Sequence, residues 1–224
     1  MKVPELKGLL GALSERERLG LLSLARQRSF DGGDILLRQG ETASHLFVLT
    51  HGRVKVVAST PDGQPILLAV RGPGDALGEL AILDGSPRSA SAIAFEPVRA
   101  LSVPTDAFRR YLTEHPLVMM RLLQVLSKLL RRADDVIVEQ GTTVTEQRVA
   151  RRLLELAADH GEVDDDGSVR VTLRLSQEDL AGWVGASREG VNKILAGLRD
   201  RGILETGRQR LTILDVDGLK LHAV

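Results

Sequence analysis

With 30 basic and 30 acidic side chains in 224 residues, the chain is formally neutral, so no global field draws it to nucleic acid. Its 43% hydrophobic and 27% charged content is ordinary for a soluble globular protein, with length for one large domain or two modest ones. Cysteine is absent, which excludes disulfides, thiolate zinc sites, cysteine-ligated iron–sulfur clusters and thiol switches. No run of about 18 apolar residues and no signal-peptide pattern occurs, so the expected compartment is the cytoplasm, without a membrane partner.

Residues 1–27 carry apolar side chains at helical spacing, with Ser14 placed to cap a second short helix. From Phe30 the texture changes. Turn signals recur at Asp31-Gly32-Gly33, Gly40, His51-Gly52, Asp62-Gly63, Gly72-Pro73-Gly74 and Asp84-Gly85, and between them lie "ILLRQ", "HLFVLT", "RVKVVAS", "PILLAV", "SAIAF" and "VRALSV". Short β-rich runs separated by glycine turns at roughly 8–12 residues predict an antiparallel sandwich or barrel.

Inside this region residues 78–92 read "GELAILDGSPRSASA", which sets Glu79 and Arg88 at opposite ends of a short apolar segment. Burying either ion uncompensated costs several kcal/mol. The two must therefore pair with each other, stay open to water, or meet a ligand.

Near Pro116 a long helix pattern begins, "LVMMRLLQVLSKLLRRADDVIVEQ". Met119, Leu123, Leu126, Leu130, Ala133 and Ile137 follow coiled-coil spacing, while Leu122, Val125, Leu129 and Val136 line a neighbouring face. Two apolar faces have two things to pack against: one is the β-rich domain, and the other is either a twin helix in a two-fold homodimer or the interior of the same chain. In "VEQGTTV", Gly141 is expected to break this helix and Thr143 or Thr145 to cap the next, "RVARRLLELAADH". The acidic stretch "GEVDDDGS" lacks the ligand spacing and closing glutamate of a calcium loop and reads as a solvated turn before a strand, "VRVTLRL".

The most specific segment is "LSQEDLAGWVGASREGVNKILAGLRDRGIL". Ser176 with Asp179 forms a capping box for a helix through Trp183, Gly185 supplies a tight turn, and Ser187 caps a second helix to about Arg201. Two short helices about a glycine turn make a helix-turn-helix, whose second helix enters the major groove of double-stranded DNA. On that helix Val191, Ile194, Leu195 and Leu198 should face inward, and Glu189, Asn192, Lys193 and Ala196 outward, with Arg188 at the N-terminal turn. "ILETGRQRLTIL" then reads as a two-stranded wing carrying Arg208 and Arg210 toward phosphates. Residues 187–210 hold six basic against three acidic side chains, a local excess within a neutral protein.

A β-rich domain, a long helix and a winged helix-turn-helix in that order resemble the cAMP receptor protein (Crp/Fnr) family of bacterial transcription regulators over nearly the whole chain. "GELAILDGSPRSASA" is similar to that family's phosphate-binding cassette, and "GASREGVNK" to its recognition helix. The resemblance implies an α+β fold. It comprises a cyclic-nucleotide-binding β-roll with N-terminal helices over 1–115, a dimerisation helix over 116–140, and a DNA-binding domain over 141–224.

By that resemblance the effector is cAMP, with cGMP less favoured. Glu79 accepts from the ribose 2′-OH, Arg88 pairs with the cyclic phosphate, and Ser89 with the backbone at Gly78, Glu79 and Leu80 completes the cradle. In the family a Thr followed by Ser or Asn on the central helix meets the adenine amino group. Those positions are Ala133 and Asp134 here, so alanine offers no hydrogen bond and only the aspartate can accept one. For DNA the resemblance implies Ser176, Gln177, Ser187, Arg188, Glu189, Asn192, Lys193 and Arg208, a TGTGA-like half-site, and contact with RNA polymerase.

Two other functions compete with a cyclic-nucleotide-responsive regulator. One is a constitutive DNA-binding regulator of the same fold, for which Ala133 and Asp134 speak. The other is a phosphodiesterase, for which the cassette offers Glu79 and Asp84 but no histidine. Haem sensing would need a ligand among His45, His51, His115, His160 and His222, none of which sits in a distinctive motif.

Overall fold

The structure, a computed structural model, describes residues 8–60, 63, 65–207 and 210–224. Pro65–Leu67 apart, two compact units form, the first extending to Ala133 and the second running from Asp134 to Val224.

The first unit opens with helices α1 (Gly8–Ala12) and α2 (Glu15–Ser23). Ser14 caps α2: its Oγ accepts from the Glu17 N–H at 3.4 Å, and the Glu17 carboxylate accepts from the Ser14 N–H at 2.7 Å. Strands β1 (Arg26–Phe30), β2 (Ile35–Leu37), β3 (His45–His51), β4 (Val54–Ser59), β5 (Pro65–Arg71) and β6 (Ala76–Leu77) follow. Helix α3 (Glu79–Asp84), strands β7 (Ser91–Ala94) and β8 (Val98–Pro104), and helices α4 (Thr105–Glu114) and α5 (Pro116–Thr142) complete the series.

Strands β2 to β5, β7 and β8 fall on the six β-rich runs of the sequence. The helical stretch expected to residue 27 ends sooner, because Arg26 and Gln27 belong to β1 and pair with Ser102 and Leu101. β1 is exposed from Arg26 to Ser29, so this edge strand has no apolar alternation to read.

Two four-stranded sheets result, in the orders β1-β8-β3-β6 and β2-β7-β4-β5. β3 is buried on both faces and serves two cores. Leu46 and Val48 join the cluster under the helices, with Leu9, Phe108 and Leu122, while Phe47 and Leu49 join the cluster between the sheets, with Leu37, Val54 and Leu77.

Helix α4 was not foreseen. It buries Phe108, Tyr111 and Leu112, a spacing visible in hindsight, and Tyr111 Oη donates to the Glu17 carbonyl at 2.6 Å. Its Arg109 forks onto the Ile82 carbonyl through Nε at 2.9 Å and Nη2 at 2.6 Å, clamping the end of α3.

α5 does not break at Gly141; it continues through it to Thr142. The Thr143 N–H still donates to the Glu139 carbonyl at 3.0 Å across the glycine, while Thr142 Oγ1 bonds back to the Val138 carbonyl at 2.8 Å and Thr143 Oγ1 to that of Glu139 at 2.7 Å. Neither Thr143 nor Thr145 caps the next helix, α6 (Thr145–His160). Val144 occupies the cap position, and Gln147 Oε1 accepts from its N–H at 3.2 Å.

After α6 come β9 (Gly161–Val163), β10 (Val169–Val171), α7 (Gln177–Val184), α8 (Arg188–Asp200), β11 (Leu204–Gly207), β12 (Arg210–Ile213) and α9 (Val216–Leu221). One sheet of order β11-β12-β10-β9 backs the helices. Residues 161–163, read as loop, pair with β10 instead, and the strand expected over 169–175 stops at Val171. The acidic turn is held by the Arg170–Asp164 pair at 3.1 Å. Among the described residues no helix is long and apolar enough to cross a membrane.

Candidate functional site

The cassette begins where β6 meets α3. Gly78 adopts φ 82°, and a Cβ there would lie 2.1 Å from Arg88 Nη1, so a side chain would strain the backbone and displace the guanidinium. The Arg88 backbone is fixed first: its N–H donates to the Glu41 carbonyl and its own carbonyl accepts from Gly40, each at 2.9 Å. Its side chain then folds inward, 4% exposed, donating from Nη1 to the Gly78 carbonyl at 2.6 Å and from Nη2 to the His45 carbonyl.

Glu79 is buried beside it at 9% exposure. Burial raises its pKa above the ordinary carboxylate value, against the opposing charges of Arg71 and Arg88. Among the described residues no ion pair joins Glu79 to Arg88, so of the three fates set out for these ions, mutual pairing is not the one adopted. Arg71, whose charge acts on Glu79, and the carbonyl of His45, which accepts from Arg88, were missed by sequence reasoning, since nothing in their strands distinguishes them. Burial, and then Arg88 and Arg28, depress the pKa of His45.

Of the other expected pocket residues, Leu80 and Ser89 have exposed side chains, leaving Leu80 only its backbone to offer. Ala133 and Asp134 are both exposed on α5, and Asp134 makes no hydrogen bond or ion pair among the described residues.

In the second unit the two helices and their turn form as anticipated. Ser176 Oγ accepts from the Asp179 N–H at 3.0 Å, Gly185 takes φ 65°, and Ser187 Oγ accepts from Gly190 at 3.1 Å. Val191, Leu195 and Leu198 are buried, with Ile194 only half-buried. Ser187, Arg188, Glu189 and Lys193 are exposed, while Gln177 and Asn192 are half-buried. The Asn192 Oδ1 is buried without a partner.

Not all the local basic excess is free. Arg199 donates to Thr206 Oγ1 at 2.7 Å and Arg201 pairs with Glu146 at 3.2 Å. The side chains of Arg188, Lys193 and Arg210 make no hydrogen bond or ion pair among the described residues. Arg208 lies outside the described residues. A groove of about 360 Å³ is lined by residues of α7, α8 and the wing, with Ser176, Gln177, Arg188 and Arg210 along it.

Residues 27–115 match the family model of the cyclic nucleotide-binding domain, and residues 147–221 that of the Crp-like helix-turn-helix domain. A CRP-like cAMP-activated global transcriptional regulator of Mycobacterium tuberculosis is 38% identical over 87% of this chain and 86% of its own length. The chain belongs to the Crp/Fnr family of transcription regulators.

The cyclic AMP receptor protein of Thermus thermophilus is 29% identical over 83% of this Crp/Fnr chain and 82% of its own. A solved Crp/Fnr-family transcriptional regulator from the same organism superposes with TM-score 0.75 at 29% identity, covering 88% of this chain and 98% of that one. The c-di-GMP responsive global regulator of Xanthomonas campestris shares the fold, with TM-score 0.81 at 19% identity over 89% and 99% of the two chains. The protein is thus a DNA-binding transcription regulator with a cyclic-nucleotide-binding domain, and the buried Glu79–Arg88 region lies within the matched nucleotide-binding residues.

Proposed function

We propose that this regulator is a homodimer activated by cAMP, with Arg88 as the phosphate anchor and Glu79 as the ribose acceptor. The observation that carries the reading is a buried guanidinium set against a glycine in the left-handed region, where a Cβ would displace it. In the free pocket two main-chain carbonyls accept from Arg88, and a cyclic phosphate is the stronger acceptor for the same forked donor. Gly78, Leu80 and Ser89 complete the cradle. The name of the mycobacterial relative supports cAMP as effector.

Arg188, Glu189, Asn192 and Lys193 read base edges of a palindromic, TGTGA-like site. Ser176, Gln177, Ser187, Arg208 and Arg210 hold phosphates. Lys193 keeps the charge of an arginine but not its bidentate fork, which loosens the preference at its base pair. The homodimer forms along α5, where Leu123, Leu130 and Ile137 are 48%, 65% and 68% exposed in a single chain. The acidic turn at Asp164–Asp166 is the surface offered to RNA polymerase.

A constitutive regulator is the second reading, favoured by the exposed Ala133 and Asp134 where adenine recognition is expected. Titration calorimetry with cAMP and then cGMP decides between them. Micromolar binding of cAMP supports activation; no heat with either nucleotide at several temperatures selects the constitutive regulator.

A further inference from the structure

Within the second unit, a carboxylate near the end of α5 is paired with two arginines of α6, one of which reaches on to α7. Glu139 Oε1 lies 3.4 Å from Arg151 Nη1, and its Oε2 lies 3.1 Å from Arg152 Nη2. Arg152 is 7% exposed, spends Nη1 on Glu155 at 2.6 Å, and sets its guanidinium 5.7 Å from the centre of the Trp183 ring on α7. Arg151 passes on to the Ala223 carbonyl through Nε at 2.7 Å. One turn earlier on α6, Arg148 joins the Thr143 carbonyl at 2.6 Å to the Val184 carbonyl at 3.0 Å.

These contacts have a directional meaning. Arg152 is a buried cation whose Nε already lacks a partner, so it depends on its carboxylates. Glu139 is the one of them that comes from α5, whereas Glu155 sits on α6 with Arg152 itself. Displacing the end of α5 relative to α6 takes Glu139 away from Arg152 and leaves the buried guanidinium with Glu155 alone, so the contact between the two helices is either made or lost. We propose that Glu139, through Arg152 and Trp183, is the positioning residue that makes the end of α5 and helix α7 move as one body. An effector-driven change in α5 thereby reaches α8. This inference rests on the nucleotide-responsive reading above.

The test is the ratio of DNA affinities with and without cAMP, read by fluorescence anisotropy on a palindromic TGTGA-containing duplex, with cAMP affinity measured separately by calorimetry. The wild-type ratio should lie within about 5–150-fold, the usual range of allosteric coupling, and Glu139→Gln should bring it below about threefold while cAMP affinity stays within about twofold. Glu155→Gln removes only the partner on α6 and keeps the wild-type ratio. Should Glu139→Gln not fold, Arg152→Met replaces the buried cation with an apolar side chain and is expected to lose the ratio in the same way. A responsive wild type whose ratio survives in Glu139→Gln, or in Arg152→Met, overturns the role of this joint alone. A wild type indifferent to cAMP and cGMP overturns the nucleotide-responsive reading, and the joint's transmitting role with it.

Discussion

Arg88 donates to the carbonyl of Gly78 at 2.6 Å and makes no ion pair with Glu79, the residue next to that glycine. The guanidinium is thus held in place by neutral acceptors that a phosphate can replace. Arg88→Ala should abolish detectable cAMP binding, since charge-assisted hydrogen bonds contribute about 1.5–3 kcal/mol each and a cyclic phosphate takes at least two. Stability should fall as well, by about 1–3 kcal/mol for each buried carbonyl left unpaired. Calorimetry and urea unfolding read the two effects; unchanged nucleotide affinity would remove Arg88 from the site.

At Gly78 a methyl group would lie 2.1 Å from Arg88 Nη1, on a backbone at φ 82°. Gly78→Ala should cost about 1–3 kcal/mol through backbone strain, beyond any displacement of Arg88. A thermal melt of the free protein tests this. An unshifted midpoint would mean that the guanidinium finds another resting place at no cost.

Glu79 gives a pH dependence with a definite sign. Burial raises its folded pKa above the unfolded value, so between those two values the native state binds more protons than the unfolded chain. Stability contributed by this group is therefore highest at low pH and is lost as pH rises through the folded pKa. Glu79→Gln carries no such slope. Urea unfolding from about pH 4.5 upward should show wild type losing stability relative to Glu79→Gln, by at most about 1.4 kcal/mol per pH unit. Parallel curves would show that the carboxylate ionises freely in the folded protein.

The exposed stripe of α5 makes a prediction about assembly. Leu130→Glu places a charge on a seam that the single chain leaves 65% exposed, so it should spare the monomer fold and break the dimer. Sedimentation velocity reads this as a shift from dimer to monomer. A wild type that already sediments as a monomer at high concentration would refute the seam.

Arg188 and Arg210 should fail differently. Arg210→Ala removes one phosphate contact per protomer, so it should weaken binding to all sequences alike and lower the salt slope of log K by about 0.9 for each half-site. Arg188→Ala should cost about 1–3 kcal/mol on the intended site and relax discrimination at one base pair. Anisotropy titrations over a salt series on matched and mismatched duplexes separate the two.

Several parts of the molecule were legible because their signals are local. Ser14 and Ser176 announce their helices by chemistry that acts within one turn, and the glycine turns delimit six of the strands. Glu79 and Arg88 stood out because two opposite ions flank an apolar segment. What escaped reading depends on distant partners. β1 is a polar strand made by pairing with β8, and β6 has only two residues, opposite Phe47 and Val48. Gly141 carries a genuine helix-breaking propensity, yet α5 runs through it to Thr142, with the Thr143 N–H still donating to the Glu139 carbonyl at 3.0 Å and the Glu139 side chain anchored by Arg152. The carbonyls that receive Arg88 could not be foreseen, because every residue has one.

The double burial of β3 constrains its length more than its composition. Leu46 and Val48 face one core while Phe47 and Leu49 face the other, so replacing one aliphatic residue by another alters a single contact layer. Deleting Val48, by contrast, would send every later side chain of the strand to the wrong core. Variation within this strand should therefore run through substitution, and changes of length should collect in the turns that flank it.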